Sequence, residues 1–280
     1  MPPEYFSPTY LDEALELMAS RSLDLVAGGT DFFPSRGRAP ITRDILDVTR
    51  LEGFRGIQIR NKSLMRIGAA TTWSDIAKAK LPPAFIALQQ AAREVGSIQI
   101  QNAGTIAGNL CNASPAADGL PPLLTLDAEI EVAGPMGVRR QLLGDFITGI
   151  RQTSMSSAEL VTALHIKMPP SHSTSAFEKL GTRKYLVISI AMTAVIIGLD
   201  YTGNIDYARV AVGACSPVAQ RLRLLEADML GHKIADVIVT QSHLEPLSPI
   251  SDIRASDEFR SEVVEEQIYR ALYKAIAHDG

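Results

Sequence analysis

Apolar positions in the first fifty residues recur with a helical period and then gather into short strand-like runs. Residues 11–18 carry apolar side chains at helical spacing after Ser7, which predicts a helix there. The run LDLV at 23–26 predicts a short buried strand ending in a glycine turn, and DILDV at 44–48 predicts a second strand. This alternation of helix and strand favours an α/β beginning to the chain.

The following hundred residues alternate between strand and helix patterns around one long stretch of small residues. Residues 64–73 read as a strand, and residues 84–95 place their apolar side chains on one face of a helix. Strand patterns return at 128–134 and 159–168. Between them, residues 101–122 (QNAGTIAGNLCNASPAADGLPP) combine glycines, asparagines and hydroxyl side chains, which predicts a long loop.

A change of pattern near residue 170 predicts a second domain. The segment PPSHSTS at 169–175 has the composition of a linker. Two long apolar strands at 189–200 and 205–215 then form a predicted hairpin, followed by a helix from Ser216 to Gly231 and a final amphipathic helix at 257–278. This part of the chain is predicted to be α+β.

Length and charge change this picture little. The chain has 280 residues, more than a usual single domain, and a formal net charge of −4, which gives no indication of nucleic-acid binding. The N-terminus lacks a signal-peptide pattern, and the most apolar window, residues 188–199, is too short to span a bilayer. We therefore expect a cytoplasmic protein without a membrane span.

Two cysteines and five histidines limit the redox groups that the chain can hold by itself. Cys111 and Cys215 are far too few for an iron–sulfur cluster, which needs about four thiolates. The histidines show no metal-ligand spacing. No protein-held metal is expected.

The first candidate binding segment is VAGGTD, which comprises Val26, Ala27, Gly28, Gly29, Thr30 and Asp31. Glycines after a strand let backbone N–H groups approach a phosphate, and a threonine adds a hydroxyl group. The segment is neither GxGxxG nor a P-loop, so a Rossmann site is not supported. Taken alone, such a sequence is more typical of a simple turn.

The second candidate lies in the predicted loop and comprises Thr105, Ile106, Ala107, Gly108 and Asn109, with Asp118 further along. The glycine permits close backbone approach, and the threonine, asparagine and aspartate offer hydrogen-bonding groups for ligand hydroxyls. A rigid loop with only internal hydrogen bonds is the alternative interpretation. Together, the two segments indicate one extended ligand with phosphates and hydroxyls.

The pairing of AGGTD with GSIQIQNAGTIAGNLCNASPAADGLPPLLTLDAEIEV resembles the FAD-binding subunit of the molybdenum hydroxylases. That family includes xanthine dehydrogenases and aerobic carbon monoxide dehydrogenases. The similarity continues through residues 144–169 and 177–195 and ends with SPVAQRLRLLEADMLG, so it covers nearly the whole chain.

The resemblance implies a mixed α/β and α+β fold of two domains. A two-part FAD-binding domain of the PCMH type would occupy residues 1–170, with subdomains of about 1–55 and 56–170. A smaller α+β domain, an antiparallel sheet with helices like the C-terminal domain of the carbon monoxide dehydrogenase flavoprotein, would occupy residues 176–280.

The resemblance also implies roles for the candidate residues. Residues 27–31 would hold the FAD pyrophosphate through main-chain N–H groups, residues 105–109 would continue round the cofactor, and Asp118 would bind FAD hydroxyls. Lys184 and Tyr185 lie where the second domain of the family approaches the isoalloxazine ring; surface charge and core packing are the alternative roles. The family commonly has glycine where this chain has Ala107, which is unfavourable if that position needs a positive φ.

By resemblance, the chain is an oxidoreductase subunit that passes electrons through FAD to NAD⁺, a quinone or oxygen. Its partners would be a large molybdopterin-binding subunit and a small [2Fe-2S] subunit, assembled as a dimer of heterotrimers. A stand-alone FAD oxidoreductase and a nucleotide-binding regulatory module without redox activity are the alternatives. No catalytic acid, base or nucleophile is expected in this chain.

Overall fold

A computed structural model describes residues 2–183, 188–249, 251–252 and 255–277. Two domains of mixed α/β structure follow one another along the chain. The strands of the first domain are β1 (Tyr5–Phe6), β2 (Leu23–Val26), β3 (Asp44–Asp47), β4 (Ile57–Arg60), β5 (Leu64–Gly68), β6 (Glu129–Gly134), β7 (Gly137–Leu142), β8 (Ile147–Gly149), β9 (Gln152–Thr153) and β10 (Leu160–Lys167). Its helices are α1 (Leu11–Ser20), α2 (Phe32–Arg36), α3 (Trp73–Lys78), α4 (Ile86–Glu94), α5 (Ile98–Ala103), α6 (Ile106–Asn112), α7 (Leu120–Thr125) and α8 (Leu143–Phe146).

A small parallel sheet opens the first domain, with strand order β1-β3-β2. Helix α1 connects β1 to β2 and buries Ala14 completely. Because β2 and β3 run in the same direction, their carboxyl ends lie at one edge of this sheet. Ligands of open parallel sheets commonly bind outside that edge.

An antiparallel sheet of five strands, ordered β4-β5-β10-β6-β7, forms the centre of the first domain. The chain between β5 and β6 folds into helices α3 to α7. The core contains the completely buried side chains of Met65, Ile67, Leu110 and Leu164 and the nearly buried Trp73. Apolar positions of strands and helices therefore share one core.

The second domain is an antiparallel sheet covered by a long helix. Its strands are β11 (Thr174–Leu180), β12 (Ala191–Leu199), β13 (Ile205–Gly213) and β14 (Gln220–Arg221), in that spatial order. Its helices are α9 (Arg223–Met229), α10 (Gln241–Leu244) and α11 (Asp257–Ala277). Helix α11 places Val264, Ile268, Ala271 and Leu272 against the sheet, each fully buried.

The structure corrects three expectations about local structure. Residues 101–122 are not one loop but include α6 and parts of α5 and α7, because burial of Ile106 and Leu110 outweighs the low helix propensity of glycine and asparagine. The predicted linker is partly structured, since β11 begins at Thr174. The predicted helix after Ser216 begins only at Arg223, because residues 220–221 pair with β13.

In the described ranges, no helix is both long and apolar enough to cross a membrane. The predicted division places domain or subdomain boundaries near residues 55 and 170. Strands β1 to β3 precede the first boundary, β4 to β10 lie between the two, and β11 to β14 follow the second. The division itself stays a prediction.

Candidate functional site

A cavity of about 620 Å³ lies where the first sheet meets helix α6. It begins at the carboxyl end of β2, and Val48, which follows β3, also lines it. Ten of the predicted site residues line the cavity: Val26, Ala27, Gly28, Gly29, Thr30, Asp31, Thr105, Ala107, Gly108 and Asn109. Two segments separated by about eighty residues in sequence therefore form one site.

The first segment offers free hydrogen-bond donors. Gly29 adopts a φ of +68°, which favours glycine and turns the chain from β2 towards α2. In the described part of the chain, no group accepts a hydrogen bond from the backbone N–H of Gly28, Gly29, Thr30 or Asp31. Clustered, unpaired N–H groups in a turn suit an anion such as a phosphate.

Gly28 has a packing role that the sequence did not reveal. A Cβ atom built on Gly28 would lie 1.9 Å from the carbonyl oxygen of Ala103 and 2.9 Å from the Cα atom of Gly104. These distances are far below van der Waals contact, so glycine is required for the two backbone segments to approach each other. The absence of a Cβ at Gly28 thus allows the two cavity walls to approach each other. The backbone N–H of Gly28 remains a free donor.

The second segment is the first turn of α6, and the N–H groups of residues 106–109 are already used. Thr105 caps the helix, its Oγ1 accepting the N–H of Gly108 at 3.1 Å. The N–H groups of Ile106 and Ala107 donate to the carbonyl oxygens of Thr71 and Ala69. Ile106, one of the predicted site residues, is fully buried and does not line the cavity. This segment therefore contributes side chains to the cavity.

Asn109 is the side chain of the second segment that lacks a partner. Its Oδ1 atom is buried and accepts no hydrogen bond in the described part of the chain. A buried acceptor without a partner costs about 1–3 kcal/mol, so a ligand that donates a hydrogen bond there would relieve this cost. The free N–H groups of the first segment and this amide oxygen together suit a ligand with an anionic group and donating groups.

Ala107 lies inside helix α6, and it is not among the residues that have a positive φ. The methyl group that replaces the common glycine therefore causes no backbone strain, and Ala107 is only 7% exposed. Cys111, one turn further along, also lines the cavity and is partly buried. Burial raises the pKa of its thiol to about 12, so it stays protonated at neutral pH.

Asp118 lies outside the cavity lining, on the turn between α6 and α7. Its Oδ2 atom is 2.8 Å from Nζ of Lys179, and its Oδ1 atom accepts a hydrogen bond from Ser189 Oγ at 2.7 Å. Both partners belong to the second domain, so this carboxylate joins the two domains. Burial raises the pKa of Asp118, while the charge of Lys179 acts in the opposite direction.

The predicted residues Lys184 and Tyr185 lie outside the described residues. The chain leading to them passes a second cavity of about 560 Å³, lined by Arg93 and Glu94 of the first domain and by Lys179 and Arg183 of the second. Lys179 thus faces this cavity and also pairs with Asp118. The segment that leads to Lys184 therefore begins beside the ion pair of Lys179 with Asp118, where the two domains are in contact.

Sequence reasoning missed Arg151, which contacts two residues that line the first cavity. Its guanidinium group donates to Asp31 and to Asn112, and both of these residues line the cavity. Nothing in the sequence singles out this residue, because a lone arginine between two short strands has no distinguishing pattern.

Comparison with known proteins assigns the family. Residues 2–169 match the FAD binding domain in molybdopterin dehydrogenase, and residues 175–275 match the CO dehydrogenase flavoprotein C-terminal domain. The chain is 31% identical over 284 residues to a putative xanthine dehydrogenase FAD-binding subunit of Escherichia coli (strain K12), covering 99% of this chain and 97% of that protein. It is 32% identical over 238 residues to the nicotinate dehydrogenase FAD-subunit of Eubacterium barkeri, covering 81% and 79%.

Solved structures agree with this assignment. The chain superposes with a TM-score of 0.88 on a chain of carbon monoxide dehydrogenase from Hydrogenophaga pseudoflava that lacks the Mo-pyranopterin moiety of its cofactor, at 25% identity and covering 99% and 98% of the two chains. Quinoline 2-oxidoreductase from Pseudomonas putida 86 has the same fold, with a TM-score of 0.84 at 22% identity, covering 98% and 97%. The predicted family, two-domain fold and cofactor are confirmed: the chain is a FAD-binding oxidoreductase subunit and belongs to the molybdenum hydroxylase family.

Proposed function

We propose that this chain receives electrons from [2Fe-2S] clusters of a small partner subunit and passes them through FAD to an external acceptor. The observation that carries the proposal is the single cavity formed by the two glycine-containing segments. The chain has only two cysteines, Cys111 and Cys215, and both are free. Iron–sulfur clusters that deliver electrons to the flavin therefore belong to another chain.

The residues of the cavity fit the phosphate-containing part of FAD. The N–H groups of residues 28–31 are free to bind the pyrophosphate, and the side chain of Asn109 is free to accept a hydrogen bond from the cofactor. Residues 26–31 and 105–109 are proposed as the binding segments, with Ile106 supporting them from the core. When bound, FAD supplies the capacity to accept and release electrons singly or in pairs.

Asp118, Lys184 and Tyr185 are proposed to act at the other end of the cofactor. Support comes from the position of Asp118 at the contact between the domains, next to the strand that leads towards residue 184. Its two oxygen atoms each have one partner, Lys179 and Ser189, and each carboxylate oxygen can accept a further hydrogen bond. Asp118 would thus bind a hydroxyl group while it holds the second domain in place.

The chemistry at the reducing substrate is proposed to occur in a large molybdopterin-binding subunit. The named relatives are subunits of xanthine and nicotinate dehydrogenases, which favours a subunit over a stand-alone flavin enzyme or a regulatory module. We propose a dimer of heterotrimers. The described residues contain no helix that could cross a membrane, and the cytoplasmic location stays a prediction.

The proposal is tested by isolating the chain from its native host through an affinity tag. Size-exclusion chromatography is coupled to flavin absorbance and to elemental analysis for molybdenum and iron. Co-elution of FAD, molybdenum and iron at a mass well above that of the 30.2 kDa chain is expected. FAD eluting with the chain alone, without either metal, would contradict the subunit assignment.

Electron flow is tested separately with the isolated complex. Addition of a reducing substrate such as a purine, an aldehyde or an N-heterocycle is expected to bleach the flavin absorbance, and an external acceptor is expected to restore it. A complex in which the iron–sulfur absorbance changes while the flavin stays oxidised would refute the proposed route.

A further inference from the structure

The turn between β8 and β9 places Arg151 between the two segments that form the cavity. Its Nη1 atom donates to Oδ2 of Asp31 at 3.1 Å and to the carbonyl oxygen of Asn112 at 3.3 Å. The same atom also contacts the side-chain oxygen of Asn112. Asp31 ends the first segment and Asn112 ends α6, so one guanidinium group connects both walls.

The backbone of Arg151 is held in a conformation that arginine seldom adopts. Its φ is +57°, and its N–H donates to the carbonyl oxygen of Ala113 at 2.9 Å. Ala113, the capping residue that follows the end of α6, itself has a φ of 45°. Non-glycine residues in this region of φ are strained, and such residues concentrate at functional sites. Two of them joined by a hydrogen bond hold the backbone of Arg151 against the end of α6, within reach of Asp31 and Asn112.

The charges around the cavity explain why the position of Arg151 matters for an anionic ligand. Among the described residues that line the cavity, Asp31 is the one with an ordinarily charged side chain, and that charge is negative. Its carboxylate belongs to the same short segment as the free N–H groups of residues 28–31. A carboxylate at this position repels an anionic ligand unless a cation neutralises it. Arg151 supplies that cation.

We propose that Arg151 is a positioning residue for the pyrophosphate of FAD. It neutralises Asp31 and holds the first segment at a fixed distance from the end of α6, so that the free N–H groups face an anion without an opposing charge. This inference rests on the proposed FAD site in the first cavity, and it adds a residue that does not itself line that cavity.

The test is a titration of the full chain with FAD, followed by quenching of flavin fluorescence at about 50 mM and about 500 mM salt. The variants are Arg151→Met, Arg151→Lys, Asp31→Asn and the double variant Arg151→Met/Asp31→Asn. Arg151→Gly is a second removal variant, since glycine adopts a φ of +57° without strain. Thermal melting by circular dichroism establishes that each variant is folded.

Arg151→Met and Arg151→Gly are expected to bind FAD roughly five- to tenfold more weakly at low salt, with a smaller loss at high salt. Arg151→Lys is expected to retain most of the affinity. Removing the charge of Asp31 in the double variant is expected to restore binding to within about twofold of the wild type, a rescue that a merely structural role would not give.

Two results separate the possible failures. If folded Arg151→Met and Arg151→Gly bind FAD as tightly as the wild type, or if Asp31→Asn restores nothing, the inference about Arg151 is wrong while the FAD site stands. If the wild-type chain, taken from its complex and stripped of flavin, does not rebind FAD at all, the assignment of the cavity fails, and the inference fails with it.

Discussion

The substitution Gly28→Ala tests how the two cavity walls are joined. The added Cβ would lie 1.9 Å from the carbonyl oxygen of Ala103 and 2.5 Å from its carbon atom, and contacts under 3.0 Å are essentially never seen. The neighbouring atoms belong to backbone and cannot rotate away. The segments must therefore separate by roughly 1 Å, and overpacking of this kind typically costs about 1–3 kcal/mol.

We expect both stability and cofactor binding to change. A loss of about 1–3 kcal/mol corresponds to a melting temperature lower by roughly 2–5 °C for a protein of this size. Since Gly28 and Gly104 both line the cavity, a shift of roughly 1 Å also displaces the donors, and FAD affinity is expected to fall about tenfold or more. Circular dichroism melting of the flavin-free chain and FAD titration measure the two effects separately.

Gly144→Ala is the matched control. A Cβ at Gly144 would lie 4.0 Å from Cδ2 of Leu124, which is ordinary contact, and this glycine is inside helix α8 without a positive φ. Its melting temperature is expected to stay the same or rise slightly, because alanine is the better helix former. Unchanged melting and unchanged FAD affinity of Gly28→Ala would refute the close backbone contact. Lost affinity with unchanged melting would mean that Gly28 serves only the approach of the ligand.

Three further substitutions test other parts of the structure. Asn109→Leu removes a buried oxygen without a partner. The melting temperature of the flavin-free chain is therefore expected to rise while FAD binding weakens by about 1–3 kcal/mol. A melting temperature and a FAD affinity that both rise or both fall would contradict this. Lys179→Met leaves Asp118 buried without its cation, and a loss of about 3–5 kcal/mol is expected from chemical unfolding, largely recovered by adding Asp118→Asn. Hydrogen bonds from Arg139 and from the backbone lower the pKa of Glu159 to about 2, from 4.5 when unfolded, so its contribution to stability is complete above pH 4.5 and is lost as the pH falls towards 2. Glu159→Gln is expected to flatten this acid limb of the stability curve, and an unchanged limb would exclude the ion pair as its source.

The sequence predicted the long apolar elements better than the small-residue segment between them, and the site residues stay a prediction. Strong apolar periods placed β12, β13 and α11 within one or two residues of their observed ends. The small-residue segment at 101–122 was misjudged because its helices depend on burial in the core, which local composition does not show. The same limit applies to β14, whose two residues form a strand only because β13 lies beside them.

The roles of single residues show a second limit. The resemblance predicted a binding role for Gly28, but its packing partner Ala103 lies 75 positions further along and is known only from the fold. Arg151 is 120 positions from Asp31, and its backbone has a φ of +57° that arginine does not ordinarily adopt. Contacts of this kind depend on tertiary structure, so sequence patterns cannot reveal them.

The charged side chains near the proposed site form ion pairs with each other. Arg151 pairs with Asp31 at one end of the site, and Lys179 pairs with Asp118 at the contact between the domains. In the proposed site, the main-chain N–H groups of residues 28–31 and the amide oxygen of Asn109 have no partner among the described residues, and each oxygen of Asp118 can accept a further hydrogen bond. Main-chain donors cannot change rotamer to follow a ligand, so their value depends on the spacing of the two segments. Because close packing at Gly28 sets that spacing and ion pairs hold the ends, we expect these contacts to determine how well the proposed site can place a flavin.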